Sequence, residues 1–138
     1  MKKIGVIFIA IVCGLLLLSQ LSVAQQSATS ACRSVAGTWQ RQNGDVISLR
    51  QSECKLVSSF TYGAISHELT GEWDARQQAF EIEVVRNNTS SRCVTEMYGR
   101  LIRVGSKQIV TEIYGTDGRC ELPIEFKERS AWVPRSTK

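Results

Sequence analysis

Apolar and polar residues alternate with a period of two along much of the chain beyond residue 34. Phe80, Ile82 and Val84 alternate with Glu81 and Glu83, and Leu122, Ile124 and Phe126 alternate with Pro123, Glu125 and Lys127. Ile47 and Leu49 flank Ser48, while Ile109, Thr111 and Ile113 flank Val110 and Glu112. Successive side chains of a strand point to opposite faces, so this period marks strands with one face buried. No comparable stretch carries the apolar period of a helix.

The alternating runs predict strands over 34–41, 45–51, 54–62, 66–73, 78–86, 92–104, 107–115 and 121–128. Between them lie Asn43-Gly44, Ser52-Glu53, Gly63-Ala64, the segment 74–77, the segment 87–90, Gly105-Ser106 and the segment 116–119. Each joint is short enough for a hairpin and none has room for a crossover helix. Consecutive antiparallel strands form a meander, and closing the meander hides its two edges. The expected fold is therefore all-β: an eight-stranded antiparallel up-and-down barrel over 34–135. The interior of such a barrel is filled by side chains or holds one small ligand.

The first 24 residues read differently. Lys2 and Lys3 precede a near-unbroken apolar run from Ile4 to Leu18, and Ser22-Val23-Ala24 fits a small-x-small cleavage site, so 1–24 is expected to be a secretory signal peptide. Cys13 within the run raises the alternative of a lipid anchor, but Val12 precedes it and Leu15 to Leu18 follow, where anchoring needs a small residue and the end of the apolar stretch. A spanning helix needs about 20 apolar residues, more than this run supplies. The segment 25–33 is small and polar at its start and is expected to be a loose leader. Cleavage leaves 114 residues (138 less 24), enough for one domain, with 15 basic and 13 acidic side chains and a net charge of +2. That balance gives no basic footprint for nucleic acid, and no stable membrane anchor is expected after cleavage.

Four cysteines remain after cleavage: Cys32, Cys54, Cys93 and Cys120. An even count in a small exported domain reads as two disulfides. A hairpin turning at Asn43-Gly44 sets Cys32 opposite Lys55, next to Cys54; one turning at Gly105-Ser106 sets Cys93 opposite Gly118, two residues from Cys120. The expected pairs are Cys32–Cys54 and Cys93–Cys120, at the short Cα separation a disulfide requires. Zinc sites want clustered cysteines with histidines nearby, a pattern this chain lacks, so no metal and no cofactor are expected.

Gly37-Thr38-Trp39 opens the first strand, and Trp132-Val133-Pro134-Arg135 closes the chain. This layout resembles the calycin superfamily, the lipocalins and avidins, and the Gly-x-aromatic step in Leu69-Thr70-Gly71-Glu72-Trp73 is most similar to the avidin type. The resemblance implies a barrel with an internal ligand site, in which Trp39 packs against a basic side chain from the last strand. Arg135 is the first choice for that partner and Arg129 the second, since a guanidinium stacks well on an indole face. Avidins surround biotin with tryptophans from their later strands; the strands expected here at positions five to eight hold none, so biotin binding is not carried over. A second resemblance in outline is to small periplasmic barrels that inhibit proteases or lysozymes.

Catalytic signals are sparse. His67 is the single histidine, no Gly-x-Ser-x-Gly elbow is present, and every cysteine of the mature chain is assigned to a disulfide, so no enzyme is expected. The best candidate chemistry is a ligand site. His67 shares a strand face with Leu69, Gly71 and Trp73, and the missing side chain at Gly71 would leave room beside it. Leu56, Ser58, Phe60 and Tyr62 share a face of the preceding strand. Ser58, Tyr62, His67 and Trp73 are thus the expected ligand-binding set, a few polar groups on apolar walls. In the sixth strand the Met97–Leu101 face is expected inside, leaving Tyr98 and Arg100 exposed beside Tyr114, a patch suited to gripping an envelope or extracellular protein. Asn87-Asn88-Thr89-Ser90 holds two overlapping glycosylation sequons; the Met1-Lys2-Lys3 start points to a bacterial chain, so they are expected to stay unmodified. The reading is an exported, secreted or periplasmic, non-enzymatic barrel holding a small, partly apolar ligand, with a protein-binding module as the alternative.

Overall fold

The computed structural model describes residues 31–136; the proposed signal peptide, Cys13 and most of the 25–33 leader lie outside the described residues. Eight strands run in chain order: β1 (Gly37–Gln40), β2 (Val46–Ser52), β3 (Lys55–Tyr62), β4 (Ile65–Asp74), β5 (Ala79–Asn88), β6 (Cys93–Val104), β7 (Gln108–Thr116) and β8 (Glu128–Pro134). Every strand pairs antiparallel with its neighbour in sequence, and β8 returns to β1 to close the barrel. The all-β, up-and-down closed meander read from the alternation is the fold observed. Because alternate hairpins fall at the same end, the β2–β3, β4–β5 and β6–β7 turns gather at one end. The 41–45 loop, the β3–β4 and β5–β6 turns and the β7–β8 connection gather at the other, here called the mouth.

Seven strands lie within a residue or two of the expected spans at most of their ends, but the last does not. Residues 121–128 are not a strand; β8 starts where that expectation ended, and 117–127 form a long connection. Pro123 has no N–H to give a ladder, and Cys120 and Glu121 take φ values of 57° and 63°, outside the extended region. Backbone bonds from Leu122 N–H to Arg119 O and from Phe126 N–H to Pro123 O fold the segment into turns. Its period of two is accordingly not a strand face: Leu122 and Phe126 turn into the mouth, while Ile124 is 69% exposed. Moving β8 also places Trp132 inside the barrel, buried, on a strand that had been expected to carry no tryptophan. The sequon asparagines shift as well, since β5 extends through Asn88.

Both expected disulfides are present, Cys32–Cys54 and Cys93–Cys120, with Cα separations of 5.5 and 5.7 Å. The registers explain them better than the expected turns did. Trp39 pairs with Ile47, so the β1–β2 hairpin is centred on Asn43, and the same register continued along the chain sets Cys32 opposite Cys54. Between β6 and β7 a bulge at Tyr98/Gly99 shifts the pairing, and Met97 opposite Thr116 continues to Cys93 opposite Cys120. That bulge needs glycine. A Cβ on Gly99 would lie 2.2 Å from the Glu112 carbonyl oxygen, and the backbone on both sides is fixed by pairing.

The half of the barrel away from the mouth is packed to its axis by Val35, Leu49, Leu56, Phe80, Leu101 and Ile109, all buried. Gly71 lies in this half and opens no space. A Cβ there would meet Ile82 Cγ2 at 3.0 Å and Leu56 Cβ at 3.4 Å, so its bareness serves close packing. In β6, Thr95, Met97, Gly99 and Leu101 face inward and Tyr98 outward, as expected. Arg100 lies outside too, donating to Glu112 at 2.6 Å.

The expected clasp of Trp39 on Arg135 or Arg129 does not form, and a different tryptophan–arginine pair spans the β1–β8 seam. Trp39 is buried and donates its indole N–H to Val35 O at 2.9 Å, which Gly37 allows by turning the chain at φ 136°. Arg135 is exposed, and it is its backbone N–H that bonds across the seam, to Thr38 O at 3.0 Å. The cation–π contact joins Arg41, just past β1, to Trp132 on β8, 4.8 Å from the ring centroid. Arg129 pairs outside with Glu112 at 3.2 Å. The reason is directional: β8 runs away from the mouth, so Arg135 leaves the barrel at the packed end, while Arg41 emerges from β1 toward the mouth.

Two stability outcomes follow from this packing. Gly99→Ala should destabilise the fold by more than about 2 kcal/mol in urea titrations, because its Cβ meets backbone that has nowhere to go. Replacing Cys93 and Cys120 together with serine should cost about 2–4 kcal/mol while leaving the closed barrel intact by circular dichroism.

Candidate functional site

Above the packed half the interior opens. A cavity of about 280 Å³ occupies the mouth half, walled by Ile47, Leu69, Ile82, Val84, Met97, Ile113 and Trp132, with Leu122 and Phe126 of the 117–127 connection at its rim. Its volume is just under the roughly 300 Å³ at which small-molecule sites begin. The space exists because the inward residues change character along each strand. Near the mouth β3 carries Phe60 and Tyr62, β4 carries His67 and β5 carries Arg86, and these partly buried side chains line the wall.

The register aligns the polar groups. Phe60, His67, Arg86 and Thr95 are successive cross-strand partners on β3, β4, β5 and β6. Phe60 and His67 stack with ring centroids 4.7 Å apart and planes 13° from parallel. Tyr62 lies beside both, and its hydroxyl donates to Val46 O at 3.3 Å. Arg41 reaches in from the opposite wall between the Trp132 and Tyr62 rings, 5.6 Å from the latter's centroid. Its guanidinium is held by Asp45 and by Glu128, the latter at 3.5 Å, and donates to Ser130 Oγ at 3.3 Å.

The protonation states follow from burial and these charges. Burial, followed by the positive charges of Arg86 and Arg41, lowers the His67 pKa from 6.5 to about 4, so the imidazole is neutral at pH 7. Its Nδ1 is buried without a hydrogen-bond partner. Burial raises the Tyr62 pKa, with Arg41 opposing. Burial pushes the Asp45 carboxyl upward, but hydrogen bonds from Arg41 and Asn43 outweigh it and leave the pKa below the ordinary value. Among the described residues no group of three or more His, Cys, Asp or Glu is arranged to hold a metal ion.

Of the four expected ligand-binding residues, the structure brings Tyr62 and His67 together on the cavity wall and places the other two elsewhere. Ser58 is buried nearer the packed half and donates to Ser48 O at 2.7 Å. Trp73, at the far end of β4, meets Phe80 edge-on with centroids 5.1 Å apart, and its indole nitrogen is buried without a partner. A shared face does not mean a shared chamber, because β4 runs the length of the barrel. Arg41, Arg86 and Trp132 were not among the expected site residues. The signal for Arg86 was available: it continues the inward alternation of Phe80, Ile82 and Val84 by one more step.

Comparison with known proteins returns no matching family model, no similar curated protein and no matching solved structure.

His67 makes a pH signature. Its folded pKa lies below the unfolded one, so the unfolded chain takes up the proton first as pH falls. Stability should therefore be full above about pH 6.5 and decline until about pH 4, where the folded state also protonates. With the ring partly exposed, the loss should be of the order of 1–2 kcal/mol. His67→Gln should flatten the stability curve across that window in urea titrations; an unchanged slope would remove His67 as its origin.

Proposed function

We propose that this chain is an exported, non-enzymatic barrel that takes up a small, partly apolar ligand through its mouth, into the chamber lined by Tyr62 and His67. The observation that carries the reading is the contrast between the two halves of one interior: packed to the axis at one end, and open at the other with apolar walls and a few polar groups at the rim. Apolar concavity with sparse polar anchors is the usual make-up of a small-molecule site. The two disulfides are compatible with the periplasm or the extracellular medium, where such bonds persist. The closed meander and the Gly37–Trp39 entry are the calycin-like features of the proposal. A binding role is favoured over catalysis because the neutral imidazole of His67 stacks on Phe60, and its Nδ1 engages no nucleophile or carboxylate.

A second reading, a protein-binding outer face, draws on Tyr98 and Tyr114, which are 36% and 49% exposed beside one another outside β6 and β7. Their hydroxyls are already engaged, Tyr98 with Glu96 at 2.8 Å and Tyr114 with Glu81 at 2.5 Å. The hydrogen bond to Glu81, with burial adding to it, pushes the Tyr114 pKa up to about 12.

A neutral probe tests the cavity. At about 100 times its Kd, 1-octanol should stabilise the protein by about 2.7 kcal/mol. Val84→Phe or Met97→Trp, each filling the chamber, should remove that gain, whereas Trp73→Ala and Tyr114→Ala should keep it. No octanol-dependent shift in thermal unfolding of the unmodified protein would overturn the cavity reading and favour the outer face.

A further inference from the structure

We propose that the ligand is a small amphiphilic monoanion, an apolar body ending in a carboxylate, and that Arg86 is the residue that receives the charged end. The inference rests on the cavity reading above and adds the chemistry of what enters it.

Arg86 is an inward position near the mouth end of β5, one alternation before Asn88, half-buried at the rim of a chamber whose walls are otherwise mostly apolar. Placing a guanidinium there costs desolvation that only a counter-charge or a set of acceptors returns. The two other charged side chains on the cavity wall have partners. Arg41 is held by Asp45 and Glu128, and Glu128 by Arg41 and Ser130. Arg86 has none: among the described residues no carboxylate lies within ion-pair distance of it. Glu121 borders the outer groove that Arg86 also lines, without forming a pair. Across the ladder Arg86 faces His67 on one side and Thr95 on the other. Neither carries charge at neutral pH, His67 because burial and the two arginines oppose its protonation.

The site therefore presents one uncompensated cation beside the neutral imidazole of His67. A carboxylate supplies the missing counter-charge. It accepts two parallel N–H bonds from a guanidinium, the geometry for which arginine is suited. A cationic ligand would meet Arg86 and Arg41 together, and a neutral one would leave Arg86 without a counter-charge in a drier setting. Size follows from the chamber: at about 280 Å³ it lies at the small end of ligand sites, which start at roughly 300 Å³. Those dimensions describe a medium-chain or compact cyclic acid with its apolar end toward Leu69 and Met97.

The test compares octanoate, 1-octanol and octylamine, matched in apolar body and different in charge, by calorimetric titration of the disulfide-bonded protein at about pH 7, where octanoate is ionised and His67 neutral. Octanoate should bind at least about tenfold more tightly than octanol, the size of a charge-assisted hydrogen bond made away from bulk water, and octylamine more weakly than either. Arg86→Gln should erase the preference for octanoate while leaving octanol affinity unchanged, and Arg86→Lys should restore part of it. Equal affinities for octanoate and octanol, or a preference that survives Arg86→Gln, would overturn the anion assignment and leave the cavity reading standing. Absence of binding by all three probes would remove the cavity reading as well.

Discussion

Closure of the sheet between β1 and β8 is the constraint on which the rest of the structure depends. It is also the slightest pairing in the barrel: Trp39 opposite Pro134 and Gln40 opposite Val133, extended by the Arg135–Thr38 backbone bond. A strand as short as β1, with proline at its partner's end, has few ladder bonds to offer, so side chains secure the seam. Trp39 is anchored from below by Val35 O, and Arg41 crosses to the Trp132 ring while reaching Glu128 and Ser130 on the same strand. Without that closure the chain would present two open edges and no interior. With it, every inward side chain from β2 to β8 acquires neighbours on all sides.

One interior then serves two purposes, and the division follows from residue size and polarity along each strand. Toward the packed end, large aliphatic and aromatic residues interdigitate and the glycines at 71 and 99 let strands approach, which is how a barrel of this size reaches interior packing density. Toward the mouth the inward positions pass to Tyr62, His67, Arg86 and Arg41, whose polar ends prefer the rim to the axis. The 117–127 connection, tied to β6 by the Cys93–Cys120 bridge, lays Leu122 and Phe126 over that opening. Apolar depth, polar rim and covalently held cover are thus consequences of where along the strands the polarity changes. The charges at the rim are unevenly matched: Arg41 pairs with Asp45 and Glu128, while among the described residues no carboxylate lies within ion-pair distance of Arg86.

Strand positions, the number of hairpins, the disulfide partners and the inward faces of β3, β4 and β6 were legible in the sequence, because each is a local property. The alternation sets the face, turn residues set the joints, and cysteines placed on either side of one hairpin pair across it. The 121–128 segment misled because its alternation is the same signal produced by a different cause, a proline-interrupted loop with two alternate apolar residues turned inward. Ser58 and Trp73 share faces with the cavity residues and yet lie away from the chamber, since a face runs the length of a strand and the cavity only half of it.

The sequence by itself determined which elements form and which way their side chains point, for these depend on neighbours one or two positions away. The tertiary structure decided what those side chains meet. A one-residue change of register at Asn43 and a bulge at Gly99 set the alignment in which each expected cysteine pair meets directly across its ladder, and the direction of β8 settles that Arg41 rather than Arg135 lies against a seam tryptophan. Whether Arg86 has a counter-ion depends on residues far along the chain that only barrel closure brings near. Periodicity in one dimension carries no such information, because a contact between distant positions is fixed by the geometry of the whole sheet.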